Sequence, residues 1–208
     1  NHQIFVTDTK NNFHKRNAED VVSANYCKIP VAGFGSGDDV SLSSFEKLVI
    51  AFQADGHAHK LKKDGSFHAM FQFSKQRKID KFLELLKEIS FSSREISETQ
   101  SKGNVKTKRR FSVFLDAPIT KDVSSYFCLK TMNSLKAKAI IEYMNHWDGH
   151  VASKTCYVYT NTNKKSVDFY QAVATLAGYR STLSVIEDDR KETFSTCYKL
   201  FINIGVQF

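Results

Sequence analysis

Leu48-Val49-Ile50-Ala51-Phe52-Gln53-Ala54-Asp55-Gly56 is an apolar run that ends abruptly in a carboxylate and a glycine. Ile141-Glu142-Tyr143-Met144-Asn145-His146-Trp147-Asp148-Gly149 repeats that plan in the second half of the chain. A helix that is apolar on several sides is a buried helix. A carboxylate at the negative end of its own helix dipole is poorly placed unless a cation sits nearby. A metal ion would serve, and two such helices are the feature that organises the rest.

The flanks of the first run read as a complete unit. Ser43 or Ser44 is the expected N-cap, with Glu46 in the first turn, and Gly56 is expected to close the helix in the left-handed conformation. His57 to Ser66 reads as a loop or short hairpin around Asp64-Gly65, followed by β-prone Phe67 and Met70 to Phe73. Ile79, Phe82, Leu83, Leu85, Leu86 and Ile89 recur at helical spacing, with Lys81, Glu84, Lys87 and Glu88 opposite. A polar, basic stretch from Ser92 to Arg110 then leads into a strand, Phe111 to Leu115, closed by Asp116-Ala117-Pro118.

The second half keeps that order. After a short helix or turn at Tyr126 to Leu129, Asn133 or Ser134 caps the second apolar helix. Tyr157 and Tyr159 take the places of Phe71 and Phe73. Val167 to Tyr179 matches Ile79 to Phe91, with Gly178 ending the helix, and Cys197 to Ile202 stands where Arg110 to Leu115 stood. The chain reads as two diverged copies of helix, hairpin, helix and strand. The fold class expected is α+β: two pseudo-symmetric repeats, residues 41–120 and 121–208, with paired central helices and an antiparallel, saddle-shaped sheet.

Residues 1–40 differ from both copies. Ile4-Phe5-Val6 and Val21-Val22 are β-prone, and Gly33-Phe34-Gly35-Ser36-Gly37-Asp38-Asp39 reads as a flexible linker. Three glycines in five residues invite a phosphate-loop reading, but no Lys-Ser/Thr pair follows.

The chain has 208 residues, and 30 Lys plus Arg against 22 Asp plus Glu leave a net charge of +8. Such a surplus favours a polyanionic partner, most plausibly nucleic acid. Cys27, Cys128, Cys156 and Cys197 form no C-x-x-C pair, so they read as reduced thiols of an intracellular protein. No apolar run is long enough to span a bilayer, no signal-peptide core is present, and no membrane role is expected. Starting at Asn1, the chain is expected to be a processed product or a piece of something longer.

Packing two copies about a pseudo-twofold axis through their apolar helices would bring Asp55 and Asp148 together at one edge of the seam. Like charges that close need neutralising, and Mg²⁺ prefers carboxylate oxygen. Metals held between carboxylates activate water and stabilise the leaving oxygen of a phosphodiester. The paired hairpins would form a basic sheet able to enter the DNA major groove beside that site.

With those elements in order, Leu48 to Gly56 resembles the LAGLIDADG motif of homing endonucleases, and Ile141 to Gly149 resembles its second copy. Phe71 to Ile79 and Tyr157 to Thr160 are similar to the following stretches of such enzymes embedded in inteins, especially phage-type ones. The resemblance covers roughly residues 41–208. It implies a monomeric, pseudo-symmetric endonuclease that cuts a long double-stranded DNA site with Mg²⁺, which Mn²⁺ can replace. Asp55 and Asp148, with Gly56 and Gly149 beside them, match the family's metal site, and the two aspartates its catalytic acids. The family also places a basic residue near the metal; repeat position nominates Lys199, then Lys75 or Lys154. The candidate DNA contacts are Lys60, Lys62, Lys75, Arg77, Lys106, Lys108, Arg109, Arg110, Lys154 and Lys164.

Two departures stand out. The family packs its two helices through small residues, whereas Tyr143 and Trp147 occupy the second motif. Residues 1–40 resemble a remnant of the splicing domain that hosts such nucleases, His2 matching its T-x-x-H histidine. With no N-terminal Cys or Ser and no C-terminal His-Asn, the chain is expected not to splice by itself, though it would belong to a longer intein precursor.

Rival readings remain beside this one. His57 with His59, or His146 with His150, suggests zinc, although no H-E-x-x-H pattern or cysteine pair completes a site. The basic run from Lys102 to Arg110 is either a solvated loop or a set of phosphate contacts. A catalytically inactive DNA- or RNA-binding module of the same fold, maturase-like or regulatory, would need the sheet and its charges without the chemistry.

Overall fold

The computed structural model describes residues 3–7, 13–22, 33–60, 67–99, 108–186 and 196–207. At the start, β1 (Gln3–Thr7) pairs antiparallel with β2 (Phe13–Asn17), and α1 (Ala18–Val22) follows. Val21 and Val22 therefore close a helix and do not form a strand. Glu19 and Asp20 in its first turn suit the positive end of the helix dipole.

The first repeat begins with α2 (Ser44–Asp55), capped by Ser43. The Ser43 hydroxyl accepts from the Glu46 amide at 3.2 Å, and the Glu46 carboxylate accepts from the Ser43 amide at 2.9 Å. This reciprocal pair satisfies two otherwise orphaned donors. Then come β3 (Gly56–Lys60), β4 (Phe67–Phe73), α3 (Gln76–Glu88), β5 (Ser93–Thr99) and β6 (Lys108–Leu115). A 3₁₀ turn at Val123–Tyr126 leads to the second repeat: α4 (Ser134–Asn145, capped by Asn133), β7 (Gly149–Ser153), β8 (Cys156–Asn161), α5 (Lys164–Leu176), β9 (Tyr179–Ile186) and β10 (Cys197–Gln207).

The two four-stranded antiparallel sheets run β3-β4-β6-β5 and β7-β8-β10-β9, the same order twice. Each repeat thus contains one strand more than the sequence pattern shows. β5 and β9 are edge strands, and the polar composition of β5 suits an edge. In β5 a single apolar residue, Ile96, interrupts Ser-Arg-Glu and Ser-Glu-Thr, so pairing with β6 defines the strand and side-chain periodicity does not.

Register also corrects the alignment of the copies. Gly56 pairs with Phe71 and Gly149 with Tyr159, so Tyr159 stands at the place of Phe71, not of Phe73.

The core lies between the sheets and the helices. Leu48 to Phe52 of α2 are all buried, as are Ala137, Ile140, Ile141 and Met144 of α4. Ala69, Phe71 and Phe73 of β4 and Phe111, Val113 and Leu115 of β6 point inward at the period of two expected for one buried face. Trp147, 2% exposed, crosses into the first repeat. Its ring lies 5.7 Å from Phe73 and 6.4 Å from Phe82, centroid to centroid, and 6.0 Å from Tyr143. The bulky second motif is therefore accommodated by an aromatic cluster of the other repeat.

Gly56 does not adopt the left-handed cap expected of it, since its φ is −90° and β3 starts there. Glycine is required by proximity instead, because a Cβ would stand 2.7 Å from Phe52 Cγ. Among the described residues, the left-handed glycine is Gly178, φ +79°, which turns the chain from α5 into β9.

Residues 33–39 are bound to the second repeat. Gly33 and Gly35 amides donate to the carbonyls of Thr175 (3.1 Å) and Leu176 (2.8 Å), and the Asp39 amide donates to Thr131 (3.0 Å). The Asn133 side chain donates to the Gly37 carbonyl at 3.1 Å. A Cβ on Gly37 would lie 2.7 Å from Thr131 Cα, so the glycine run permits close docking of backbone on backbone. The expected flexible linker is a strap, and no phosphate loop forms.

Candidate active site

Asp55 is the last residue of α2, and Asp148 lies in the turn between α4 and β7. Both face the same ammonium. Lys78, in the first turn of α3, donates to Asp55 Oδ2 and stands 3.7 Å from Asp148 Oδ1. The ends of the two central helices thus converge from different repeats on one cation.

A second lysine approaches from the loop after β6. Lys121 Nζ donates to the Gln53 carbonyl at 3.1 Å, next to the C-terminal turn of α2. Burial pulls its pKa down from the ordinary lysine value, and the charges of Asp148 and Asp55 oppose that shift. Asp148 shows the reverse balance. Burial raises its pKa, Lys78 and Lys121 lower it, and Asp55 raises it further. Tyr159, at the centre of β8, is buried beside this site, its hydroxyl accepting from Asn161 at 3.0 Å; burial and the Asp148 charge hold its pKa high.

Neither lysine was singled out from the sequence. For Lys78 a signal existed, because it falls on the buried arc of α3 with Ile79, Phe82 and Leu85, a cation where the pattern demands an apolar residue. Lys121 sits in an aperiodic loop and carries no comparable mark.

Lys199 is placed elsewhere. On β10 the inward residues are Leu200 and Ile202, so Lys199, opposite Thr160 and Ser184, points to the outer face of the second sheet. Lys75 is exposed at the N-cap of α3, and Lys154 is exposed in the β7-β8 turn. Among the described residues, the cations beside the two aspartates are Lys78 and Lys121.

The candidate DNA contacts divide as follows. Arg110 lies on the outer face of the first sheet and donates to Gln72 across the β4-β6 pair at 3.0 Å. Lys108 begins β6 and Lys60 ends β3. Arg109 makes a bidentate pair with Glu95, 2.7 Å on each arm, and this guanidinium holds the Glu95 carboxyl below the usual carboxylate range. Arg77 reaches the His146 carbonyl at 2.5 Å and stitches α3 to the end of α4. Lys164 pairs with Asp168 one turn along α5 and lies 5.9 Å from the ring centroid of Tyr198 on β10. Lys62 and Lys106 lie outside the described residues. Arg94, opposite Ser112 on the outer face, and Arg180, opposite Asn203, join that surface without having been nominated from the sequence.

Gly56 and Gly149 begin β3 and β7 next to the aspartates and are buried. Among the described residues, no three His, Cys, Asp or Glu side chains gather into a metal-binding cluster, and the His146/His150 pair gains no third ligand there; the side chain of His59, the partner in the His57/His59 reading, lies outside the described residues. The oxygen donors present are a carboxylate pair that already holds a monovalent cation. Hard carboxylate oxygens that neutralise an ammonium fit a hard divalent ion as well.

Comparison with known proteins places this fold. A structure of mesophilic variants of the homing endonuclease I-DmoI aligns with 77% of this chain and 88% of its own, at a TM-score of 0.50 and 17% identity. The chain has the fold of a LAGLIDADG homing endonuclease. I-DmoI in complex with DNA and Mn is also similar (TM-score 0.47, 19% identity, 77% and 89% covered), as is I-WcaI bound to its DNA recognition sequence (0.44, 13%, 79% and 76%). Among curated proteins, the chain is 30% identical over 155 residues to a ribonucleoside-diphosphate reductase subunit beta from Aquifex aeolicus (strain VF5), covering 69% of this chain and 22% of that protein. The chain therefore spans about a fifth of the length of that relative. No family model matches.

Proposed function

We propose that this chain is a LAGLIDADG homing endonuclease that binds double-stranded DNA along the outer faces of its two sheets and cleaves it at the seam. The observation that carries this reading is the convergence of Asp55 and Asp148, one from each repeat, on a single cation at the ends of the central helices. In this reading both carboxylates hold divalent metal, Mg²⁺ or Mn²⁺. The ion would lower the pKa of a bound water and neutralise the leaving oxygen. Lys121 replaces Lys199 as the basic residue facing the scissile phosphate, because its ammonium lies beside both aspartates. Arg110, Arg94, Arg180 and Lys199 serve the outer faces as phosphate or base contacts.

The chain acts as a monomer, its two repeats supplying the symmetry that a dimer would otherwise provide. Its match to one fifth of a longer protein supports a nuclease carried inside a host protein, as part of an intein, with residues 1–40 the splicing-domain remnant. The same placement implies an intracellular site of action.

A non-cleaving DNA- or RNA-binding module is the second reading, favoured by the ammonium of Lys78 standing where a metal would be held. The host gene's uninterrupted junction sequence, presented as duplex with Mg²⁺, separates the two. Cleavage that disappears in Asp55→Asn and Asp148→Asn while binding persists is the expected result. Salt-sensitive binding without cleavage in Mg²⁺ or Mn²⁺ would establish the second reading.

A further inference from the structure

We propose that Lys78 is the resident counter-ion of the Asp55/Asp148 pair in the metal-free protein, and that a divalent ion must displace it to bind. The proposal rests on the reading of that pair as a metal site.

Lys78 is 8% exposed, on the apolar arc of α3 beside Ile79 and Phe82. A buried ammonium is costly unless it is paired. Its partners are the two aspartates, one from its own repeat and one from the other. The need is mutual. Both carboxylates stand near the negative ends of helices, and without a cation they would repel each other across the seam.

The repeat shows that this is a one-sided device. Lys78 is the third residue of α3, and the third residue of α5 is Ser166, an uncharged side chain that is 1% exposed. The pseudo-symmetric site therefore places one ammonium in ion-pair contact with both carboxylates. Lys121 does not duplicate that contact, because its Nζ donates to the Gln53 carbonyl and acts on the aspartates through its charge alone.

An ammonium and a divalent ion cannot both contact the same carboxylate oxygens without strong like-charge repulsion at a few ångströms. Occupancy is exclusive. Lys78 thus keeps the metal-free protein folded and sets metal affinity lower than the two carboxylates alone would.

The test uses the full chain, with Mn²⁺ binding by calorimetry and metal-free thermal unfolding as readouts. Lys78→Met is expected to bind Mn²⁺ about tenfold or more tightly. It should unfold at a lower temperature without metal and recover when Mn²⁺ is added. Lys78→Arg should stay near wild type, and adding Asp148→Asn to Lys78→Met should restore metal-free stability by removing the repulsion. Equal Mn²⁺ affinity and equal melting temperature in wild type and Lys78→Met would overturn the proposal alone. Mn²⁺ binding that is absent, or indifferent to Asp55→Asn and Asp148→Asn, would remove the metal reading and the proposal with it. Should Lys78→Met fail to fold in any condition, a double variant with Asp148→Asn that also fails to recover overturns the proposal.

Discussion

Lys136 of the second central helix reaches Glu46 in the first turn of the other, Nζ to Oε1 at 2.6 Å, and the same ammonium contacts Asp39 of the strap at 2.5 Å. One buried cation joins both repeats to the segment that precedes them. It lies in the first turn of α4, whereas the aspartates lie at the opposite ends of the same pair of helices.

Lys136→Met should destabilise the protein by about 3 kcal/mol, the low end for orphaning the partners of a buried charge, because Asp39 is 38% exposed and keeps water. Urea unfolding measures it. The pH dependence has a definite sign. Burial lowers the Lys136 pKa, but the hydrogen bonds and charges of Asp39 and Glu46 outweigh it and leave the folded value raised above 10.5. Its contribution is full below the unfolded pKa and is lost as pH rises through the folded one. The difference in melting temperature between wild type and Lys136→Met should therefore stay constant through neutral pH and shrink above about pH 10.5.

Trp147→Ala should cost about 3–5 kcal/mol, since it removes the ring that fills the space beside Phe73 and Phe82. Trp147→Phe should cost less. Chemical denaturation of both variants checks the order, and equal losses would mean that the inter-repeat contact is not what the tryptophan supplies.

Gly37→Ala should loosen the strap, because the new methyl meets Thr131 backbone. Overpacking of this kind costs about 1–3 kcal/mol. Limited proteolysis should show new cleavage within residues 33–39, with the second repeat otherwise intact.

Lys121 and Lys199 should separate chemistry from binding. Lys121→Met is expected to reduce single-turnover cleavage by about 10²-fold or more with little change in DNA affinity. Lys199→Ala should weaken binding and reduce the slope of log K against log salt by about one, as expected for one lost phosphate contact. Filter binding across a salt series, with cleavage rates alongside, distinguishes them.

Much of the architecture is legible in the residues. The apolar runs with their terminal aspartates announce two central helices, and the Ser43/Glu46 capping box marks the start of the first. Alternation in Ala69, Phe71 and Phe73 marks β4. The edge strand β5 leaves no such trace, because a strand solvated on its outer side is defined by hydrogen bonds to its neighbour rather than by buried side chains.

What the sequence determined by itself was therefore the duplication and the identity of the two acidic helix ends, since both follow from local periodicity. The cations that face those ends were decided only in three dimensions. Helical spacing marks Lys78 as a buried cation, but it lies 23 residues from Asp55 and reaches the second repeat, and Lys121 arrives from a loop, so the partner of each charge across folded space leaves no spacing to read. The seam was settled the same way. Trp147 departs from the small residues expected there, yet it fits because Phe73 and Phe82 of the other repeat supply the surface that receives it.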